Sequence, residues 1–184
     1  VIGNDNWIMA YGHIAHDCIV GNNNTFANNT AIAGHVTVND FVTFGGFTVI
    51  HQFCRVGSYS FSAMGAIILK DVPPYILVSG NSAKPAGLNR EGLKRNGFDS
   101  DKIKLIKKAY RIIYRDGHSL ADALNKLSQI STSITTSNSQ IVDVSILEEH
   151  SYKSSTGIPY QTAFSWIVPN PGSDSSEPYL YPFF

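Results

Sequence analysis

The sequence predicts a mainly β fold, a parallel β-helix of hexapeptide repeats followed by a C-terminal α-helical domain. Three observations carry this. Ile2, Ile8, Ile14, Val20, Phe26, Ile32, Val38, Phe44, Ile50, Val56, Ser62 and Ile68 fall on every sixth residue, and only Ser62 is not large and apolar. Two residues after each beat the chain is polar or glycine, as at Asn4, Asn22, Gly34, Asp40 and Gln52. Four residues after it the chain is mostly small or β-branched, as at Cys18, Thr30, Val36, Val42 and Cys54. A helix needs a period near 3.6 and a flat sheet a period of 2, so neither explains the beat. A hexad forms one flat side, and three sides close a coil of eighteen residues.

Residues 2 to 73 make about four coils. Residues eighteen apart stack, giving ladders Ile14–Ile32–Ile50–Ile68, Ile2–Val20–Val38–Val56 and Ile8–Phe26–Phe44–Ser62. Such ladders bury apolar surface that no single coil could bury alone. The repeat begins at the first residue with no capping element, and an open coil end exposes unpaired strand edges; coils upstream of Val1 are expected. Asp71–Val72–Pro73–Pro74–Tyr75 ends the beat, because two prolines cannot continue a backbone ladder. An extended stretch from Tyr75 to Ser79 turns at Gly80–Asn81. A short helix starts at Leu88 or Asn89 and stops at Gly97. Ser100 caps a longer helix, 101–115, with an apolar stripe of Ile103, Ile106, Ala109, Tyr110 and Ile113. Gly117 ends it, and Ser119 opens another helix through Leu127 or Gln129. Residues 131–140 read as a loop, and 141–149 as a short helix. The domain reading is thus 1–74 β-helix, 75–157 linker and α-helical domain, and 158–184 an atypical tail rich in proline and aromatic residues.

Composition narrows the class. Lys plus Arg and Asp plus Glu each number 14, so net charge is zero and gives no reason to expect nucleic acid. The basic residues gather between Lys84 and Arg115. No apolar run reaches membrane-spanning length, and no secretory signal is visible. Cys18 and Cys54 lie two coils apart, roughly 9–10 Å at 4.8 Å per coil, too far for a disulfide. Both read as small buried hydrophobes in a reducing compartment.

Four of the six histidines fall in the repeat: His13, His16, His35 and His51. On coils of eighteen, His16 stacks under Gly34 and Gln52, and His35 lies above Asp17. His13 sits on the same side or at the adjoining corner, and His51 reads as two coils above Ala33. Histidine can take a hydroxyl proton near neutral pH, and a carboxylate can fix its tautomer. A backbone N–H on a glycine-lined coil can receive an oxyanion. Acyl transfer onto an alcohol uses all of these and needs no serine nucleophile. Zinc is the rival, since three histidines can ligate it. The spacings give no short ligand pair with a clear third, so no metal is assigned.

His13–Ile14–Ala15–His16–Asp17–Cys18, Ala33–Gly34–His35–Val36 and His51–Gln52–Phe53–Cys54 closely resemble bacterial UDP-N-acetylglucosamine O-acyltransferases, a family of lipid A synthesis. Asp71 to Tyr75, Gly80–Asn81, and Asn89 to Phe98 continue the match, which covers residues 1 to about 130. The resemblance implies a left-handed β-helix and a homotrimer with active sites between neighbouring β-helices. It implies His16 as general base, Asp17 as its orienting acid and Gly34 N–H as oxyanion donor. It assigns His13, His35, His51 and Gln52 to sugar-nucleotide or acyl contacts, and Asn89, Glu91 and Arg95 to the nucleotide or a partner protein. The donor would be a 3-hydroxyacyl group on acyl carrier protein, the acceptor the glucosamine 3-hydroxyl of UDP-N-acetylglucosamine. No cofactor is called for, and the setting would be the cytoplasm of a Gram-negative-type bacterium. Three departures stand out: the family's upstream coils are absent, Asn96 replaces a second arginine found in some members, and residues after Gly157 match nothing.

Two readings compete with this: a related N-acyltransferase acting on an amino sugar, and an inactive trimeric scaffold. Arg90 and Lys94 read as a landing patch for acidic acyl carrier protein, whereas Lys102 to Lys108 read equally well as a solvated helix face. Met64 matches the position of the family's hydrocarbon ruler, where a small residue leaves room for longer chains. Its side chain implies a preference near ten carbons over about fourteen; the alternative is that Met64 pads the β-helix core.

Overall fold

In the computed structural model, which describes residues 1–119, 122–123 and 125–127, the hexads close into a left-handed parallel β-helix followed by helices. Each hexad contributes a two-residue strand. One side stacks β1 (Trp7–Ile8), β4 (Thr25–Phe26), β7 (Thr43–Phe44) and β10 (Phe61–Ser62). The next side stacks β2 (His13–Ile14), β5 (Ala31–Ile32), β8 (Val49–Ile50) and β11 (Ile67–Ile68). The third holds β3 (Ile19–Val20), β6 (Thr37–Val38) and β9 (Arg55–Val56). Pairing is parallel and eighteen residues apart, as in His13↔Ala31 and Ile14↔Ile32. The three ladders read from the sequence are therefore the three inner walls. Phe26, Ile32, Val38 and Phe44 are buried, and so are Val36, Val42, Cys18 and Cys54, four residues past a beat. Both cysteines are free thiols. On the first coil the ladder residues Ile2 and Ile8 are exposed.

The corners obey a rule that composition conceals. At every sixth residue from Asp5 to Gly65 the backbone is left-handed, with φ between 55° and 72°. Tyr11, Phe41, Phe47, Phe53 and Tyr59 all adopt it, although for an L-residue it costs roughly 1–2 kcal/mol. From Asn23 onward each such residue donates its N–H to a carbonyl one coil and one residue earlier, as His35 does to His16 (3.1 Å) and Phe53 to Gly34 (3.1 Å). The corner bond offsets the strain and fixes where each side chain leaves the solenoid.

The prolines do not end the ladder. Val56 bridges Val72, and Ser62 pairs with Val78 on β12 (Ile76–Ser79), so the step falls from eighteen residues to sixteen. The coil is shortened rather than stopped, because the Asp71 carboxylate accepts the Arg55 N–H at 2.6 Å in place of a backbone carbonyl. β13 (Lys84–Leu88), which the sequence had not suggested, then pairs antiparallel to β12 along its free edge.

Asn89 caps α1 (Arg90–Arg95), and Gly97 follows with φ of 79°. The cap of α2 (Ser100–Tyr114) is Asp99, not Ser100. Its Oδ1 accepts from Lys102 N (2.8 Å) and Asp101 N (3.0 Å), and these bonds hold its carboxyl below the usual range. Ile103 and Ile106 of α2 pack with Leu93 against Tyr59, Tyr75 and Phe98. Tyr110 reaches the solenoid core, and Ile112, outside the expected stripe, packs on Ala123 and Leu127. Ser119 does open a turn, accepting from Asp122 N and Ala123 N. The expected loop at 131–140, the helix at 141–149 and the tail at 158–184 lie outside the described residues. Among those described, no helix is long and apolar enough to cross a membrane.

Candidate active site

The chain turns at one corner on leaving β2, β5 and β8, and the corner rule sets its chemistry. Asp17, His35 and Phe53 occupy the left-handed position on successive coils, and His16, Gly34 and Gln52 precede them. His16 Nδ1 lies 2.9 Å from Asp17 Oδ2. That hydrogen bond is the main reason the Asp17 carboxyl titrates below its usual range, with the His35 and His16 rings adding smaller attractions. His35 Nε2 approaches the same Oδ2 at 3.8 Å, and the two imidazoles meet edge to face with centroids 5.2 Å apart. Phe53 stacks on the far face of His35, 4.7 Å away and within 13° of parallel.

Gly34 is required by its neighbour and not by its backbone angles. A Cβ there would stand 2.7 Å from His16 Cε1 and 2.9 Å from Nε2. The imidazole therefore lies directly on the bare Cα. On either side, Ala33 N–H donates to Ile50 and His35 N–H to His16. The Gly34 N–H between them has no acceptor among the described residues, and it lies beside the ring that Asp17 orients.

Other expected site residues are distributed less simply. His51 lies one coil above Ala33, not two, as the pairing of Ile32 with Ile50 requires. Its Nδ1 turns to the Gln52 carbonyl at 3.1 Å. His13 is exposed on β2. Met64 is 79% exposed at a different corner, ahead of β11, so it does not pad the solenoid core.

Residues 89–98 pack at the third corner, beside Tyr59, and none of them reaches His16 within one chain. Asn89 was expected to touch substrate, yet both ends of its amide are used internally. Nδ2 donates to the Tyr59 carbonyl (2.9 Å), and Oδ1 accepts from Gly92 N (3.1 Å). Asn96 caps the other end of α1 by donating to the Gly92 carbonyl at 2.8 Å. Glu91 and Lys94 pair with each other at 3.1 Å, both exposed. Arg90 and Arg95 are exposed and without a carboxylate partner among the described residues. Sequence reading missed Phe53, because an aromatic at a left-handed corner leaves no local signal. It also dismissed a metal on spacing, whereas the corner brings one donor atom each from His16, Asp17 and His35 within 4.8 Å of one another.

The sequence profile described as UDP-N-acetylglucosamine O-acyltransferase, domain 2, matches residues 71–151, and the bacterial transferase hexapeptide profile matches residues 1–34. The acyl-[acyl-carrier-protein]--UDP-N-acetylglucosamine O-acyltransferase of Thiobacillus denitrificans is 51% identical over 127 residues, 69% of this chain and 49% of that protein. The enzyme of the same name from Pseudomonas paraeruginosa is 43% identical over 157 residues, 85% of this chain and 58% of its own length. The chain thus spans about half the length of the curated relatives it matches. Among solved structures, the UDP-N-acetylglucosamine acyltransferase of Francisella novicida aligns with a TM-score of 0.70 at 40% identity, covering 73% of this chain and 49% of that one. The Arabidopsis enzyme aligns at 0.68 and 42% identity, covering 77% and 56%.

Proposed function

The chain belongs to the UDP-N-acetylglucosamine O-acyltransferase family, and on that premise we propose that it transfers a 3-hydroxyacyl group from acyl carrier protein to the glucosamine 3-hydroxyl of UDP-N-acetylglucosamine, the first step of lipid A synthesis. The observation that carries this is the His16 ring lying on Gly34, with Asp17 at Nδ1 and the Gly34 N–H undonated. Asp17 keeps the proton on Nδ1, which leaves the Nε2 lone pair for the acceptor hydroxyl. As the sugar oxygen bonds to the thioester carbonyl carbon, its proton passes to Nε2. The carbonyl electrons move to oxygen, and the Gly34 N–H stabilises that charge. Collapse of the tetrahedral species breaks the C–S bond, and the imidazolium returns its proton to the departing thiolate.

A homotrimer with sites between neighbouring solenoids fits the placement of the parts. His16 is 73% exposed in a single chain, and Arg90 and Arg95 sit at another corner. A second subunit could bring the two together. Between the Met64 corner and the histidine corner runs the outer face of β5, β8 and β11, carrying Ala31, Val49 and Ile67. This apolar face suits an acyl chain whose far end meets Met64, and Arg90 and Lys94 suit an acidic carrier protein.

His16→Ala should lower turnover by ~10²–10⁴-fold, the usual worth of a general base. Near-normal turnover would remove His16 from that role. Paired assays with 3-hydroxy and 3-amino sugar nucleotides test the acceptor, and an inert chain whose upstream-extended form turns over would mark the 184 residues as a scaffold only.

A further inference from the structure

We propose that His16, Asp17 and His35 form a binding site for a borderline transition-metal ion, Zn²⁺ being the best fit, and that its occupation silences His16 as a base. The binding claim rests on geometry alone; the silencing claim also rests on the reading of His16 given above. One donor atom from each of the three residues lies within 4.8 Å of the others, and Asp17 Oδ2 is the shared vertex, 2.9 Å from His16 Nδ1 and 3.8 Å from His35 Nε2. Zinc bound tetrahedrally at about 2.0–2.2 Å holds its ligand atoms roughly 3.3–3.6 Å apart. These two separations bracket that range and the third lies within 4.8 Å, so side-chain rotations that move the donor atoms by about an ångström suffice, and all three side chains are exposed.

The frame beneath is already set. Asp17 and His35 both hold left-handed corners (φ 59° and 60°), and the His35 N–H is tied to the His16 carbonyl. Phe53, stacked on His35, keeps the ring edge turned toward Asp17. Two imidazoles and a carboxylate favour zinc, copper or nickel over magnesium or calcium, which require mostly oxygen ligands. Three protein ligands leave a fourth position for water.

The cost to catalysis follows from the tautomer. As a base, neutral His16 carries its proton on Nδ1 and its lone pair on Nε2. A metal at Nδ1 takes that position, so the same proton must move to Nε2. The ring stays neutral overall, yet no lone pair remains to accept the substrate proton.

Calorimetric titration of the full chain with Zn²⁺, and separately with Mg²⁺, tests this without any turnover. The expected result is one zinc per chain at micromolar affinity and no magnesium binding. Asp17→Asn, His35→Gln and His16→Gln should each weaken zinc by at least about tenfold, the least that loss of even an outer partner of a ligand costs. His13→Gln and His118→Gln should leave it unchanged. Zinc affinity that survives His35→Gln, follows His13 or His118, or is matched by magnesium would overturn the site. Ring ¹⁵N spectra should show the His16 proton moving from Nδ1 to Nε2 with zinc, and a ring that keeps Nδ1–H would overturn the silencing. A chain that binds zinc in this pattern but never transfers an acyl group would sink the proposed function while leaving the site intact.

Discussion

Two corners of the same solenoid, built on one backbone rule, have opposite uses. At the corner entering β4, β7 and β10, the side chain of each coil satisfies the coil below. Asn22 Oδ1 accepts the Asn4 N–H (2.8 Å), and Asp40 Oδ1 accepts the Asn22 N–H (2.6 Å). Above them Phe41, Tyr59 and Tyr75 form a stacked column, with spacings of 4.8 and 5.9 Å, and Phe98 closes its side. At the histidine corner the residue equivalent to Asp40 is Gly34. It offers no acceptor to the coil below, leaves its own N–H unspent and makes room for a ring. Where the Asn4 and Asn22 donors are consumed the corner gains stability, and where a bare Cα seats a ring beside an open donor it can do chemistry.

The sharpest way to break this contrast is to give the histidine corner the other corner's solution. Gly34→Asn or Gly34→Ala should push the His16 ring off its seat and lower turnover by about 10²-fold, the scale of an ångström-sized misplacement. Circular dichroism and melting should change little. A variant with normal turnover would refute the claim that the bare Cα seats the ring.

Next in size is the joint between solenoid and helix. Asn89→Ala removes a helix cap and the bond to the Tyr59 carbonyl together, and should cost about 1–3 kcal/mol in denaturant unfolding. The Michaelis constant for the sugar nucleotide should stay put; a selective rise would return Asn89 to the substrate contacts first assigned to it. Asp40→Ala strips one acceptor from Asn22 N–H and Nδ2 and should cost about 1 kcal/mol, with turnover per folded chain unchanged.

A different kind of effect is a pH slope. Burial pushes the Cys54 thiol from 9.0 up to about 12. Above pH 9 the unfolded chain therefore loses a proton that the folded chain keeps, and stability falls as pH rises towards 12. Unfolding curves between pH 8 and pH 11 should show this slope, and Cys54→Ala should make it shallower, with Tyr59 and Tyr114, whose hydroxyls burial also pushes up, supplying part of what remains; identical slopes would mean that Cys54 contributes nothing.

How much of this was legible in the sequence varied with what each residue must satisfy. The ladders were plain, because Ile14, Ile32, Ile50 and Ile68 stack on one another across coils at a fixed spacing of eighteen residues. The pairing of His16 with Asp17 and Gly34 was equally plain, since eighteen-residue stacking fixes it once the coil is known. Phe41, Phe53 and Tyr59 at left-handed corners were not, because their local preference points the other way and only the coil beneath enforces the conformation. The sixteen-residue coil was hidden for a similar reason. Pro73 and Pro74 advertise a break, and nothing local says that the Asp71 carboxylate will stand in for the missing carbonyl. The internal role of Asn89 was hidden because a resemblance assigns roles by position and says nothing of an amide held by Tyr59 and Gly92.

That shortened coil also acts as punctuation. Eighteen more residues inserted before Val56 would add one rung and leave every corner in phase, as a turn added to a spring does. The same eighteen placed after Asp71 would meet a register already two residues out of step, with β13 lying along the β12 edge where a new rung would have to pair. Length in this molecule is therefore free to vary on one side of Val56 and closed on the other, and the β12 edge, where the next rung would add, is taken by an antiparallel strand of the same chain.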